Sequence, residues 1–116
     1  MITIYGIKTC DTVRKALKWA EENDIEHEFH DFRKNPVAEA VVKKWEQAVG
    51  RDKLINKKGT TYRKLSDADK EILTGDNPYA LLCAQPTIMK RPVFEGPDQI
   101  LIGFTDAEKS ALLANS

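Results

Sequence analysis

The sequence predicts an α/β domain, on three observations. The first 32 residues contain two strand-like stretches separated by an amphipathic helix pattern. Residues 35–85 carry only helical patterns, each bounded by proline, glycine or a capping residue. The remaining residues contain two strand-like stretches around a turn, followed by one more helix pattern. The expected order of elements is therefore β-α-β, helices, β-β-α.

The opening unit begins with alternating apolar and polar residues at positions 2–5, and Gly6 then permits a turn. The apolar face of the following helix is formed by Val13, Ala16, Leu17 and Ala20. A second strand is predicted within residues 25–32, where apolar and polar side chains alternate again. Because a helix joins the two strands, we expect them to be parallel.

The helical segment opens at Asn35-Pro36, where a capping residue precedes a proline at the first helical position. This helix is predicted to end at Gly50. Its buried stripe is expected to contain Val37, Val41, Trp45 and Ala48. We expect Trp45 to anchor the core rather than to stack on a ligand.

Two further helices are predicted in the same segment. Residues 66–69, Ser-Asp-Ala-Asp, resemble a capping box and open a helix that Gly75 closes. Asn77-Pro78 repeats the device of a cap followed by proline, and Gln85-Pro86 stops the helix that it starts. Cys83 lies in this last helix between apolar neighbours, so we expect it to be a structural residue rather than a redox thiol.

Strand-like residues 87–90 and 93–95 are predicted on either side of Arg91-Pro92, and residues 99–102 return after a Gly-Pro-Asp turn to complete a β-hairpin. Residues 105–108, Thr-Asp-Ala-Glu, form a capping box that opens the last helix. We expect Leu112 and Leu113 on that helix to cover the sheet. The complete order, βαβ…ββα, is that of a thioredoxin-like fold with an all-helical insertion at about residues 35–85.

The composition favours a single domain over residues 1–116, because 116 residues that are 41% hydrophobic can bury one sizeable core. The 18 basic and 18 acidic residues give a formal net charge of zero, which argues against direct binding of nucleic acid or of an anionic membrane. The longest apolar run, residues 80–84, is too short to span a membrane. We therefore expect a cytoplasmic monomer with reduced thiols.

Cys10 falls at the predicted turn between the first strand and the first helix. The free N–H groups and the positive dipole end of that helix favour a thiolate over a thiol. Lys8 and Arg14 add positive charge nearby, whereas Asp11 opposes them. This placement suits a nucleophile, but the same segment is compatible with a half-buried structural cysteine in a turn.

The other chemistry-bearing residues are less specific. The two histidines, His27 and His30, point to opposite faces of one strand, so we predict no metal site. Residues 51–64 carry six basic side chains against one acidic side chain, and Lys57 lies within this run. Such a run is usually a solvated face, and it binds an anion only if it folds back toward Cys10.

Three segments together resemble the arsenate reductase (ArsC)/Spx family of thioredoxin-like proteins, and its YffB-type branch in particular. They are residues 6–12 (Gly-Ile-Lys-Thr-Cys-Asp-Thr), residues 55–65 (Ile-Asn-Lys-Lys-Gly-Thr-Thr-Tyr-Arg-Lys-Leu) and residues 88–93 (Ile-Met-Lys-Arg-Pro-Val). The resemblance covers nearly the whole chain, and three separated matches in the right order make it a specific signal.

The resemblance implies that Cys10 is the nucleophile, that Arg91 helps to hold an anion and that Pro92 follows a cis peptide bond. A cis proline would turn the backbone beside the sulfur and leave main-chain groups of Arg91 available to a peptide-like substrate. Lys8 and Arg14 would stabilise the thiolate, and Lys57 with Arg91 would hold the carboxylates of glutathione.

The chain departs from the family pattern at three positions. Arsenate reductases of this family use one arginine in the insertion and one on the last strand, besides the arginine before the proline. Here Asn56 stands at the first of those positions, and the second falls in residues 102–104, which are apolar. Arsenate reduction is therefore disfavoured. Spx-like regulators often carry a second thiol at the position that Val13 occupies here.

The leading hypothesis is a glutathione-dependent thiol-disulfide reductase that acts through Cys10. It would use glutathione as cosubstrate, with no bound cofactor or metal, and glutathione or a glutaredoxin would release the mixed disulfide. One alternative is an Spx-like regulator that docks on RNA polymerase without turnover. Another is an arsenate reductase with a degenerate arginine set, in which Lys57 replaces the missing arginines.

Overall fold

A computed structural model describes residues 1–114 of the chain. These residues form two compact units. The first contains residues 1–32 together with the chain from Arg91 onward, and the second contains Arg33–Lys90. The predicted order of elements, β-α-β, helices, β-β-α, is confirmed.

The first unit is built on a four-stranded sheet with the order β2-β1-β3-β4. Strand β1 pairs in parallel with β2 and antiparallel with β3, and β3 and β4 form the predicted antiparallel hairpin. The elements of this unit are β1 (Ile2–Gly6), α1 (Asp11–Glu22), β2 (His27–Asp31), β3 (Val93–Glu95), β4 (Ile100–Ile102) and α7 (Asp106–Ala114).

The core of this unit lies between the sheet and its helices. It contains Ile4, Ala16, Ala20, Ile25, Phe94 and Leu112. The close packing of α1 on β1 explains Gly6, which is the last residue of the strand and not a turn residue. A Cβ atom at Gly6 would lie 2.6 Å from a methyl carbon of Val13, so only glycine allows this approach without a shift.

The last helix begins as predicted, but only one of its two leucines expected to cover the sheet is buried. The Glu108 carboxylate accepts hydrogen bonds from the backbone N–H and the hydroxyl of Thr105, at 2.7 and 2.8 Å, which confirms the capping box. Leu112 is buried, but the prediction that Leu113 also covers the sheet is wrong, because its side chain is 49% exposed. One residue turns the helix by about 100°, which moves Leu113 away from the buried face.

The second unit is helical apart from one isolated antiparallel bridge between Ile55 and Met89. Its elements are α2 (Glu39–Val49), α3 (Arg51–Leu54), α4 (Thr60–Arg63), α5 (Asp67–Thr74), α6 (Tyr79–Ala84) and a 3-10 turn (Pro86–Ile88). Trp45 is fully buried, as predicted. Ser66 caps α5 by accepting a hydrogen bond from the backbone N–H of Asp69 at 3.1 Å, and Gly75 follows its end.

The two Asn-Pro pairs predicted helix starts at the wrong residues. Helix α2 begins at Glu39 after the cap Ala38, and Asn35-Pro36 lies outside it. Val37 is buried ahead of the helix, and Val42 occupies the buried face instead of the predicted Val41 and Ala48. In α6 the cap is Pro78 rather than Asn77. The predicted end of α2 at Gly50 is confirmed by its positive φ of 87°.

Candidate active site

Cys10 is the N-cap residue of α1, with extended backbone angles of φ −82° and ψ 121°. Its backbone N–H donates to the carbonyl of Ile7 at 3.2 Å, and its carbonyl accepts the N–H of Arg14 at 3.0 Å. Its side chain makes no capping hydrogen bond to any described residue. The half-buried sulfur therefore occupies the position where a side chain normally meets the free N–H groups of the first helical turn.

Arg91 and Pro92 lie at the same end of the sheet as Cys10. Val93, directly after them, pairs with Tyr5, one residue before the end of β1, and Cys10 follows β1 after a short loop. The bond between Arg91 and Pro92 is cis, as the resemblance implied. Pro92 is buried, and its carbonyl accepts the N–H of Gly103 at 2.9 Å.

Arg91 is half-buried, and its Nε atom lies inside the protein. Tyr5 lies on the neighbouring strand, with its ring centroid 5.0 Å from that of His30. Burial and the negative charge of Glu95 raise the pKa of the Tyr5 phenol. It therefore stays neutral at physiological pH and adds no negative charge to this end of the sheet.

The two cations predicted near Cys10 are both exposed. Arg14 pairs with Asp11, with Nη2 2.9 Å from Oδ1, and the same Nη2 donates to the Thr9 carbonyl at 3.3 Å. Its charge is thus shared with a carboxylate on the same helical turn. The backbone N–H of Lys8 donates to the Asp31 carboxylate at 3.5 Å, while the Lys8 side chain extends into solvent.

Lys57 belongs to the helical unit, whereas Cys10, Arg91 and Pro92 belong to the sheet unit. It is exposed and lines two cavities of about 230 and 360 Å³. Lys58 and Lys90 also line the larger cavity, which gives it an excess of positive charge. The role of Lys57 in holding glutathione remains a prediction.

Cys83 and His27 make contacts that are typical of structural residues. Burial, followed by the negative charge of Glu39, raises the pKa of the Cys83 thiol, which keeps it protonated at neutral pH. The Nδ1–H of His27 donates a hydrogen bond to the Ile25 carbonyl at 2.8 Å, at the edge strand of the sheet. Residues 1–114 contain no group of three or more side chains suited to a metal ion.

Sequence reasoning missed Asp31. This residue ends β2, is only 7% exposed and faces Gly6 in the strand register. Its carboxylate is the acceptor for Lys8 in the loop that leads to Cys10. A signal was present, because an acidic residue ending a strand parallel to β1 must lie beside the loop that leaves β1.

Comparison with known proteins assigns the family. A family model described as the ArsC family matches residues 5–112. The chain belongs to the ArsC family. A solved structure described as YffB protein is 34% identical, covers 97% of this chain and 99% of its own, and has a TM-score of 0.86. The thioredoxin-like fold predicted for this family is confirmed by this similarity.

Two further relatives show the breadth of the family. An arsenate reductase (ArsC) related protein from Brucella melitensis is 35% identical over 95% of this chain and 92% of its own, with a TM-score of 0.70. The global transcriptional regulator Spx of Listeria innocua is 26% identical over 93% of this chain and 83% of its own length. The relatives of this chain thus include a reductase-related protein and a transcriptional regulator. No helix within residues 1–114 is both long and apolar enough to cross a membrane.

Proposed function

We propose that this protein is a cytoplasmic, glutathione-dependent thiol-disulfide reductase with Cys10 as its single nucleophile. The observation that carries the proposal is the position of Cys10 at the N-cap of a 12-residue helix, at the sheet end where Arg91 and Pro92 lie. Helix N-termini lower the free energy of an adjacent negative charge, and the thiolate is the form of cysteine that attacks a disulfide.

The reaction is two successive thiol-disulfide exchanges. The Cys10 thiolate attacks the glutathione sulfur of a mixed disulfide between glutathione and a substrate, and the substrate thiolate leaves and takes up a proton. A second glutathione thiolate then attacks the Cys10 mixed disulfide, which releases oxidised glutathione and restores the Cys10 thiolate. Glutathione supplies both electrons, and the substrate disulfide is the group reduced.

The second thiol comes from outside the chain in this scheme. Val13 occupies the position three residues after Cys10, where a second cysteine would allow an internal disulfide. Burial and the charge of Glu39 raise the pKa of Cys83, which makes it a poor attacking thiol at neutral pH. Free glutathione or a glutaredoxin therefore resolves the mixed disulfide.

Arg91 is the side chain best placed to bind the substrate. Its guanidinium is half-buried directly before Pro92, where β3 begins beside β1. A partly buried guanidinium binds a carboxylate more strongly than an exposed one, because less of the interaction is screened by water. We assign to Arg91 the recognition of a glutathione carboxylate.

A coupled assay tests this function. The protein is mixed with bis(2-hydroxyethyl) disulfide and glutathione, and the oxidised glutathione formed is measured through NADPH consumption by glutathione reductase. We expect turnover by the wild type and by Cys83→Ser, and none above background by Cys10→Ser. Equal rates for the wild type and Cys10→Ser would refute the proposal. Turnover with arsenate and glutaredoxin, but not with the disulfide, would favour an arsenate reductase.

The similarity to Spx over 93% of the chain favours one second candidate, a regulator that binds RNA polymerase. This function needs a docking surface and not turnover. Purified RNA polymerase retained on the immobilised protein, equally for wild type and Cys10→Ser, together with no turnover in the coupled assay, would support it. No retention would remove it.

A further inference from the structure

We propose that Asp31 positions the loop that carries Cys10. The inference rests on the proposed role of Cys10 as nucleophile and adds a residue to that site. Asp31 is the last residue of β2, and its parallel register places it opposite Gly6, the last residue of β1. The loop to Cys10 begins at the next residue. Asp31 is therefore at the point where that loop leaves the sheet.

Three hydrogen bonds form at the start of this loop. The N–H of Phe32 donates to the Gly6 carbonyl at 3.1 Å, and the N–H of Cys10 donates to the Ile7 carbonyl at 3.2 Å. Between them, the N–H of Lys8 donates to Oδ2 of Asp31 at 3.5 Å. The first two bonds join main-chain groups, so Asp31 provides the side-chain contact among the three.

The burial of Asp31 needs an explanation. An acidic side chain that is only 7% exposed loses most of its hydration, and proteins rarely accept this loss without hydrogen bonds to the carboxylate. A negative charge at this end of the sheet also works against an ionised sulfur. We therefore assign the effect of Asp31 on Cys10 to its hydrogen bond with the loop and not to its charge.

A role of Asp31 through its hydrogen bond and a role through its charge predict different results when Asp31 is substituted. Asp31→Asn removes the charge but keeps a carbonyl oxygen that can accept the Lys8 N–H. Asp31→Ala removes both the charge and the acceptor. If Asp31 acts by positioning, the asparagine variant keeps the reactivity of Cys10 and the alanine variant loses it. If Asp31 acts only through its charge, both variants raise the reactivity.

The test measures the rate of Cys10 alkylation by iodoacetamide as a function of pH, in the Cys83→Ser background. We expect Asp31→Ala to react about fivefold more slowly than the parent at neutral pH, the factor of about one net hydrogen bond. Asp31→Asn should stay within about twofold of the parent. Glu28→Ala, at an exposed position of the same strand, is the matched control and should not change the rate.

A second variant removes the donor instead of the acceptor. Ligation of residues 1–9 to residues 10–116 at Cys10 allows the amide of Lys8 to be replaced by an ester, which lacks the N–H. We expect the ester to slow alkylation like Asp31→Ala, and the two changes together to slow it no further. This variant keeps Asp31, so it also tests the bond if Asp31→Ala fails to fold.

Four results would overturn the assignment: faster reaction of both Asp31 variants, a parental rate for Asp31→Ala, equal slowing by the alanine and asparagine variants, or a parental rate for the ester. Failure of the proposed function looks different. In that case the coupled glutathione assay shows no turnover that depends on Cys10, whereas alkylation still reports how Asp31 acts on the thiol.

Discussion

Asp11 and Arg14 form an ion pair on the first turn of α1, one residue after Cys10, with Nη2 of Arg14 2.9 Å from Oδ1 of Asp11. Both side chains are mainly exposed, at 86% and 61% for Asp11 and Arg14. The pair therefore contributes little to stability. The pair matters instead for the charge around Cys10. The Asp11 carboxylate offsets the positive charge of Arg14, the first cation after Cys10 in the sequence.

Replacing Asp11 by asparagine should raise the reactivity of Cys10. The change removes a negative charge from the first turn of the helix and releases Arg14 from its partner. Charges at a helix terminus act with about 0.3–1 kcal/mol, so we expect an increase of about twofold to fivefold in the alkylation rate at neutral pH and low salt. The rate is measured by quenching the alkylation at set times and determining the intact mass of the protein.

The matched control for Asp11→Asn is Glu21→Gln, which removes an exposed carboxylate from the far end of the same helix. Its rate should equal that of the wild type. Arg14→Gln should slow alkylation, and added salt should reduce each difference because the pair is exposed. An unchanged rate for Asp11→Asn at low salt would contradict this account of the first turn.

Cys83 should be labelled slowly at neutral pH. Burial and the nearby charge of Glu39 raise its pKa, so the thiolate fraction is smaller than in an unfolded chain. In Cys10→Ser, labelling of Cys83 should be slower than in the same protein unfolded in urea, and should accelerate above the ordinary thiol value of about pH 8.5. Labelling as fast in the folded state as in urea would count against this environment.

Stability should fall in acid through Glu46. Burial raises the pKa of this carboxyl, but hydrogen bonds from Tyr79 and Arg51, at 2.7 Å each, outweigh burial and lower it overall. The unfolded chain therefore binds the proton at higher pH than the folded chain. This stabilisation is complete above the ordinary glutamate value of about 4.3 and is lost as pH falls through the lowered value.

Urea denaturation at a series of pH values measures this effect. Below the ordinary glutamate value, the wild type should lose more unfolding free energy per pH unit than Glu46→Gln. Glu71→Gln, at an exposed position of α5, should follow the wild type. The same acid dependence in Glu46→Gln and wild type would show that Glu46 does not carry the effect.

Gly103 should resist substitution by alanine. Its φ of 99° is unfavourable for residues with a Cβ, and an added Cβ would lie 3.2 Å from Oε1 of the buried Glu108. We expect Gly103→Ala to lower the unfolding free energy by about 1–3 kcal/mol. The N–H of Gly103 donates to the Pro92 carbonyl, so a shift of the backbone at residue 103 would also displace Pro92. Turnover should therefore fall as well.

Gly75→Ala provides the comparison for Gly103→Ala. Gly75 has a negative φ, and a Cβ there would meet its nearest atoms at 3.6 Å, an ordinary contact. This variant should be neutral or slightly stabilising. Equal unfolding free energies for both alanine variants, measured by urea denaturation, would refute the assigned strain at Gly103.

The order of elements was predictable because periodicity and caps are local signals. The Ser66 cap, the Thr105 and Glu108 capping box and the position of Cys10 before α1 all follow from short stretches of sequence. The helix starts predicted at Asn35-Pro36 and Asn77 were wrong, because an Asn-Pro pair permits a helix start without requiring one.

The candidate site was predictable only in part, because its geometry depends on how distant segments of the chain pair. Sequence order gives Arg91-Pro92 and Cys10, and the family resemblance links them, but the strand register is what brings them to one end of the sheet. The pairing of Arg14 with Asp11 depends on rotamers, and the role of Asp31 depends on its alignment with Gly6. The first pair has the i,i+3 spacing of neighbours on a helix, whereas the second depends on strands that are distant in sequence.

Intact-mass spectrometry after exposure to oxidised glutathione tests the nucleophilic role of Cys10 most directly. Wild type, Cys10→Ser and Cys83→Ser are treated at neutral pH, and the position of any adduct is read from the peptides. We expect one glutathione on Cys10 in the wild type and in Cys83→Ser, and none on Cys10→Ser. An adduct that forms on Cys83 in preference to Cys10, or no adduct on Cys10, would contradict the account.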